Sequence, residues 1–215
     1  MGYGVCVRIR GDGALFTRAE AKGERMSYEV ITPSAARGIL ESVFWKPAIR
    51  YRIDRITVLN PIRFDAIRRN EVGAVASMGS IRRAYTSGGA YHLDAPKERQ
   101  QRASASLRDV AYLVDAHFDL VPERVGPEDT PEKFYNMLLR RLRMGQHCAQ
   151  PVLGCREFPA RVELVEGERP GSCYADTAEY DLGWMLWDVD YENDCRPVFF
   201  HAVMRRGTIE AGVKP

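Results

Sequence analysis

The chain has 215 residues, 45% hydrophobic and 28% charged, with 18 Gly and 12 Pro. That is one large domain or two small ones, and the composition excludes disorder, a collagen-like repeat and a simple coiled coil. Net charge is only +2, but residues 1–49 carry 7 Lys+Arg against 5 Asp+Glu, residues 50–108 carry 12 against 5, and residues 109–215 carry 12 against 19. Of the 31 basic residues 26 are Arg, whose guanidinium binds phosphate bidentately and stacks on bases. A segregated basic block in a neutral chain predicts one face for an anionic polymer. The competing reading is an Arg-rich surface that is merely solvated.

No apolar run approaches the roughly 18–20 residues of a membrane span. The opening run Met1-Gly2-Tyr3-Gly4-Val5-Cys6-Val7-Arg8 has neither a basic flank nor an apolar signal core. The expected location is therefore the cytoplasm, with no membrane partner. Five cysteines, Cys6, Cys148, Cys155, Cys173 and Cys195, include no pair at CxxC spacing. Reduced, mostly buried thiols are expected, with no metal and no other cofactor.

Residues 3–10 alternate, with Val5, Val7 and Ile9 on one face, which predicts a half-buried first strand. Thr32-Pro33-Ser34 opens a helix, since Thr caps and Pro suits the first helical position. It runs to about Trp45 on an Ala36, Ile39, Leu40, Val43 stripe, and Pro47 stops it. Residues 50–59 form a second strand with a register slip near Asp54-Arg55. From residue 60 to about 106 periodicity weakens while Arg accumulates, and excursions with a hairpin are expected there, with no helix. Residues 109–121 are a clear strand: Tyr112, Val114, Ala116, Phe118 and Leu120 on one face, Leu113, Asp115, His117 and Asp119 on the other. Thr130-Pro131-Glu132 opens a second helix on a Phe134, Met137, Leu138, Leu142 stripe, ended by Gly145. Strands follow at 156–166, 184–191 and 197–205, with a short last one at 208–210.

The order β-α-β, a basic excursion, β-α-β, then all β makes two βαβ halves. That predicts an α+β, ferredoxin-like (RNA-recognition-like) domain with a basic insertion over residues 1–167. A small C-terminal antiparallel β subdomain, 168–215, should pack tightly against it. Helices would cover one sheet face and leave the other free, the face RNA-recognition domains use.

No GxSxG, HExxH or Walker loop is present. Among four histidines, His117 stands out, because Asp115 and Asp119 share its strand face at two-residue spacing. Such carboxylates favour proton holding near neutrality; the alternative is a hydrogen-bonded filler. RNA can be cut without a metal, because its own 2′-hydroxyl is the nucleophile. A base, an acid and cations on the phosphate suffice, and His117, Lys46 and nearby arginines would supply them. Phosphate contacts are expected from Arg37, Arg68, Arg69, Arg82, Arg83, Arg99, Arg102 and Arg108. Arg37 sits off the first helix's apolar stripe and should point away from the core.

Several long runs then resemble one family. They are Lys22-Gly23-Glu24-Arg25-Met26-Ser27-Tyr28-Glu29-Val30, Thr32-Pro33-Ser34-Ala35-Ala36-Arg37-Gly38-Ile39-Leu40-Glu41 and Trp45-Lys46-Pro47. With them go Asn60-Pro61-Ile62, Ile67-Arg68-Arg69-Asn70-Glu71-Val72, Gln100-Gln101-Arg102, Ala116-His117-Phe118 and Leu153-Gly154-Cys155-Arg156-Glu157-Phe158-Pro159-Ala160. Together they resemble the subtype I-C (Dvulg) branch of CRISPR-associated protein family five, of the RAMP superfamily. The resemblance implies a ferredoxin-like domain with a C-terminal β subdomain. It also implies a metal-independent endoribonuclease that cuts CRISPR repeat RNA, leaves a 2′,3′-cyclic phosphate and a 5′-hydroxyl, and keeps the crRNA 5′ handle. Its partners would be that RNA and the other subunits of a type I-C surveillance complex.

The family's cutting set is a Tyr or similar polar residue before the Trp-Lys-Pro run, a Lys and a His. Here Phe44 stands at the first position and Ala116 precedes His117, so only His117 carries over. Lys46 is then the second catalytic candidate, with Phe44, Tyr28 and Tyr51 expected to line the site. Two classes stand: a repeat endoribonuclease that retains its product, and a non-catalytic handle-binding subunit of the same fold. Double-stranded DNA binding by the Arg block is compatible with either.

Overall fold

Alternation along residues 110–120 builds the centre of the sheet. In the computed structural model, which describes residues 3–21, 24–191 and 193–212, this run belongs to a strand, β5, of 22 residues, Arg99–Leu120. Its even positions Tyr112, Val114, Ala116 and Phe118 are buried, while Asp115 and His117 are half-buried and Asp119 is exposed. Lys22 and Gly23, within the first family-like run, lie outside the described residues.

Strand β1, Val5–Ala14, pairs antiparallel with β5, setting Cys6 opposite Asp115 and Val7 opposite Val114. On the other side of β5 lies β3, Ile49–Val58, with Arg52 opposite His117 and a register shift between Ile53 and Arg55. The slip expected near Asp54 is thus a bulge, one extra residue that bends the strand. Beyond β1 comes β6, Arg161–Leu164. Beyond β3 the sheet continues through β9, Thr208–Glu210, then β8, Arg196–Arg205, to β7, Tyr180–Asp190, at the edge. A two-residue strand β2, Arg25–Met26, pairs parallel with β5, and β4, Phe64–Val72, pairs antiparallel with it. The whole is a nine-stranded, almost entirely antiparallel sheet.

Helix α1, Pro33–Val43, is capped by the Thr32 hydroxyl, which accepts from the Ala35 N–H at 3.1 Å. Its buried Pro33, Ala36, Ile39, Leu40 and Val43 recur at helical spacing. Each fully buried aliphatic chain there contributes about 1.5–3 kcal/mol relative to exposure. Thr32→Ala is expected to cost about 1 kcal/mol, read as a Tm lower by roughly 2–4 °C for a chain this size. Helix α3, Pro131–Arg143, repeats the device: Thr130 caps it, and Phe134, Leu138 and Leu142 are its buried residues. Arg140, Arg141 and Arg143 in its last turn complement the helix dipole. Both helices pack on the Tyr112–Phe118 side of the sheet, leaving the His117 side without a helix among the described residues.

The structure corrects the reading of residues 60–106. They hold the expected hairpin, but β4 pairs along the whole early half of β5, from Phe64 opposite Leu107 to Val72 opposite Arg99. Between them lies a helix, α2, Met78–Ser87, which was not expected. It buries no residue; Ser77 at its start and Gly88, in the left-handed region at φ 70°, define it. A helix made by its caps leaves no burial stripe to read. The cysteines are corrected too: only Cys6 is buried, Cys155 is intermediate, and Cys148, Cys173 and Cys195 are exposed. No helix of the described residues is long and apolar enough to cross a membrane.

Candidate nucleic-acid interface and active site

On the helix-free face, the β3 bulge turns Asp54 toward β5. Its carboxylate lies 2.9 Å from His117 Nδ1, while its backbone oxygen accepts from the Ala211 N–H at 2.9 Å. The carboxylate therefore holds a proton on Nδ1, which fixes the ring and leaves Nε2 as its free nitrogen. Asp119 is 3.8 Å from Nε2, outside hydrogen-bond reach, and is itself held by Arg52 Nε at 3.0 Å. Arg55 meets Glu210 at 3.3 Å and Arg169 meets Asp115 at 3.0 Å. Arg8 and Arg10 share Glu163, the latter at 2.6 Å, and they hold that carboxyl below its ordinary range, Arg8 first. A half-exposed imidazole thus sits amid arginines whose carboxylate pairs are solvent-accessible. A phosphate can compete for such pairs, because exposed ion pairs contribute little.

Asp54 and Arg52 were missed by sequence reasoning. The register slip at Asp54-Arg55 was the signal for Asp54, and alternation against His117 was the signal for Arg52.

The expected site residues do not all gather here. Tyr51 and Phe44 lie on the helix side of the sheet: the Tyr51 hydroxyl donates to the Phe44 carbonyl at 2.8 Å, and burial pushes its pKa well up. Phe44 packs on Phe134, with the Arg141 guanidinium 5.3 Å from its ring centroid. Tyr28 is buried beneath Arg18, 5.2 Å from its ring, and burial raises its pKa as well. The expectation that these three line the site with His117 is corrected; strand alternation sends Tyr51 to the opposite face. Lys46 is exposed in the turn before β3, where its carbonyl accepts from the Ile49 N–H at 3.1 Å. Arg52, opposite His117, lies three residues beyond Ile49, about 10 Å along the strand.

Arg37 is corrected also. Its guanidinium donates to Glu41 at 2.6 Å and to Asp188 at 2.8 Å, with the side chain 16% exposed. Burial works against its charge, and the two carboxylates more than offset that. It ties α1 to β7 because the helix face beside the apolar stripe abuts the edge strand.

The remaining arginines lie on the β4–β5 arm. Arg69, Arg102, Glu71 and Arg25 share one face with Glu157: Arg69 is 3.1 Å and Arg25 3.4 Å from Glu157, and Glu71 is 3.2 Å from Arg25 and 3.8 Å from Arg102. Arg108 stands 3.8 Å from Asp65. Arg68 and Arg99 are exposed on the other face and Arg82 and Arg83 on α2. Among the described residues Arg68, Arg82 and Arg99 make no ion pair. Arg99 and His117 are separated by roughly 60 Å along β5 at the usual strand rise, so arm and imidazole share one strand but not one pocket.

Residues 4–212 match the sequence model of the CRISPR-associated protein family Cas_Cas5d. The chain belongs to the Cas5d family. It is 44% identical over 209 residues, covering 95% of this chain and 92% of the relative, to the CRISPR pre-crRNA endoribonuclease Cas5d of Mannheimia succiniciproducens. The protein of the same description from Thermus thermophilus is 39% identical over 223 residues, covering 95% and 89%. A solved CRISPR-associated protein superposes with a TM-score of 0.72 at 25% identity, over 98% of this chain and 92% of its own. Cas5d membership thus agrees with the mixed α/β architecture and its large antiparallel sheet.

Proposed function

We propose that this Cas5d chain is an endoribonuclease that cuts CRISPR repeat RNA in pre-crRNA and retains the 5′ handle of its product. The observation that carries the reading is the Asp54-held imidazole of His117 on the helix-free face, among arginines. The names of the two curated relatives, both pre-crRNA endoribonucleases, support it. In the step, Nε2 of His117 takes the proton of the 2′-hydroxyl. The 2′-oxygen bonds to the adjacent phosphorus, and the P–O5′ bond breaks. The products are a 2′,3′-cyclic phosphate and, once the leaving oxygen takes a proton, a 5′-hydroxyl. Arg52 stabilises the charge that develops on the phosphoryl oxygens, and Lys46 is the candidate acid. All groups the step uses are on this chain or on the RNA, so it needs no metal.

The path β6-β1-β5-β3 with α1 and α3 on one side supports a ferredoxin-like unit over residues 1–167. On this reading β4 and α2 are its basic insertion, and 168–215 is a β subdomain joined through β9. The bound crRNA would be shared with the other subunits of a type I-C surveillance complex.

The test is to incubate the purified chain with its repeat RNA in excess EDTA. One discrete cut with a cyclic-phosphate end is expected, and no cut leaves the handle-binding class. The arm supplies a second prediction. Arg68→Glu removes an unpaired surface cation, so the salt slope of RNA binding should fall by about 0.7 for each phosphate it no longer neutralises. Arg69→Glu should move it less, because Arg69 is engaged by Glu157. Filter binding from low to high salt reads both, and equal, unchanged slopes would leave the arm a solvated surface.

A further inference from the structure

A segment without regular structure crosses the helix-free face between the arm and His117. It leaves β6 at Val165, whose N–H donates to the Cys6 carbonyl at 2.9 Å, and reaches the end of β3 at Cys173, whose N–H donates to the Leu59 carbonyl at 3.3 Å. Cys6 stands opposite Asp115 on β5, and the Leu59 N–H donates to the Ala111 carbonyl. Residues 165–173 therefore pass over β5 between residues 111 and 115, a strap with the arm on one side and His117 on the other. Leu113, beneath that path, is buried although it faces away from the helices.

The strap presents Arg169. Its Nη1 donates to one Asp115 carboxylate oxygen at 3.1 Å, and Nη2 lies 3.0 Å from the other. The Arg169 side chain stays 55% exposed, and this contact uses two of the five guanidinium N–H donors, leaving three. Of the strap's other charges, Glu166 is taken by Arg143 at 2.6 Å and Glu168 is exposed. Asp115 and His117 share one strand face two residues apart, about 6.6 Å, a step comparable to that between consecutive phosphates of a single RNA strand. We infer that Arg169 is a substrate-binding residue: pinned by Asp115, it holds the RNA phosphate next to the one at His117 and so sets which bond the imidazole meets. An RNA running along β5 from arm to imidazole crosses the strap at this cation. The inference rests on the repeat-RNA reading above and deepens it by naming one phosphate contact.

The test replaces one phosphate at a time along the repeat by a neutral methylphosphonate, with 2′-deoxyribose at the cut and at the replaced linkage, and titrates each strand with the chain. The cut is mapped beforehand on all-ribose RNA in EDTA. The wild type should lose at least ~10-fold in affinity at one phosphate beside the cut, the scale of a hydrogen bond to a charged group. Arg169→Gln should bind the unmodified strand that much more weakly and be insensitive to that replacement, a coupling that a structural pin would not show. Removing Arg169 also bares the Asp115 carboxylate, so Asp115→Asn is compared with and without Arg169→Gln, a pair that also serves if Arg169→Gln alone folds poorly. The loss and the insensitivity should both persist in that pair. Glu168→Gln should keep the wild-type pattern. Losses that simply add at every position overturn the inference, as does coupling only at phosphates away from the cut, or full affinity restored by Asp115→Asn. If the wild type cuts nothing, the nuclease reading fails, and the presence or absence of coupling at a single phosphate still decides for or against Arg169.

Discussion

His117→Ala is expected to cut repeat RNA at least ~100-fold more slowly, the usual scale of general acid–base catalysis, with RNA affinity nearly unchanged. The imidazole is half-exposed, and its buried strand neighbours Ala116 and Phe118 point the other way, so its removal opens no cavity and should leave stability close to wild type. On the proposed reading, Asp54, 2.9 Å from Nδ1, acts through the imidazole as a positioning residue. Asp54→Ala should lower kcat by about 10-fold or more while KM holds, since the ring loses its orientation but the arginines around it remain. A structural role for Asp54 would instead lower Tm, with no split between kcat and KM. Single-turnover cleavage in EDTA with a binding titration separates these results. If His117→Ala cuts at the wild-type rate, the imidazole is a filler.

Arg37→Ala should destabilise the fold by about 2 kcal/mol, somewhat below the 3–5 kcal/mol typical of breaking a fully buried pair, because its partners are partly solvated. Both Glu41 and Asp188 would lose their cation, and α1 would lose its tie to β7. The expected Tm loss is roughly 4–8 °C, with RNA affinity per folded molecule unchanged. Arg37→Met keeps the packing without the charge and reports on the carboxylates alone. A variant that melts like wild type but binds RNA tenfold more weakly would return Arg37 to the interface.

Strands and helices governed by burial were legible in the sequence. Alternation set β1, β3 and the later half of β5, and capping Thr-Pro pairs set α1 and α3. Even the bulge showed, as a slip at Asp54-Arg55. What was hidden has no burial signature: α2 buries nothing, and the early half of β5 is half-exposed on an arm whose Arg, Gln, Ala and Ser carry little periodicity. The site was half legible. His117 stands out by the carboxylates that share its face. Yet the residue that holds its Nδ1 is neither of them: Asp54 comes from the neighbouring strand, and only cross-strand register brings it there. Arg37 misled because an arginine beside an apolar stripe looks the same whether its partner is solvent or a carboxylate 151 positions away. Phe44 and Tyr51 were linked to the chemistry by position in the chain, whereas the sheet places them behind it.

The central claim is that the RNA's own 2′-hydroxyl, with its proton taken by His117, is the nucleophile. A repeat RNA carrying a single 2′-deoxy nucleotide on the 5′ side of the cut tests this directly. The account predicts that the wild-type chain binds this RNA as tightly as the all-ribose strand and does not cut it in EDTA. Cleavage of the deoxy strand at an unchanged rate would mean that water or a protein group attacks, and would contradict it.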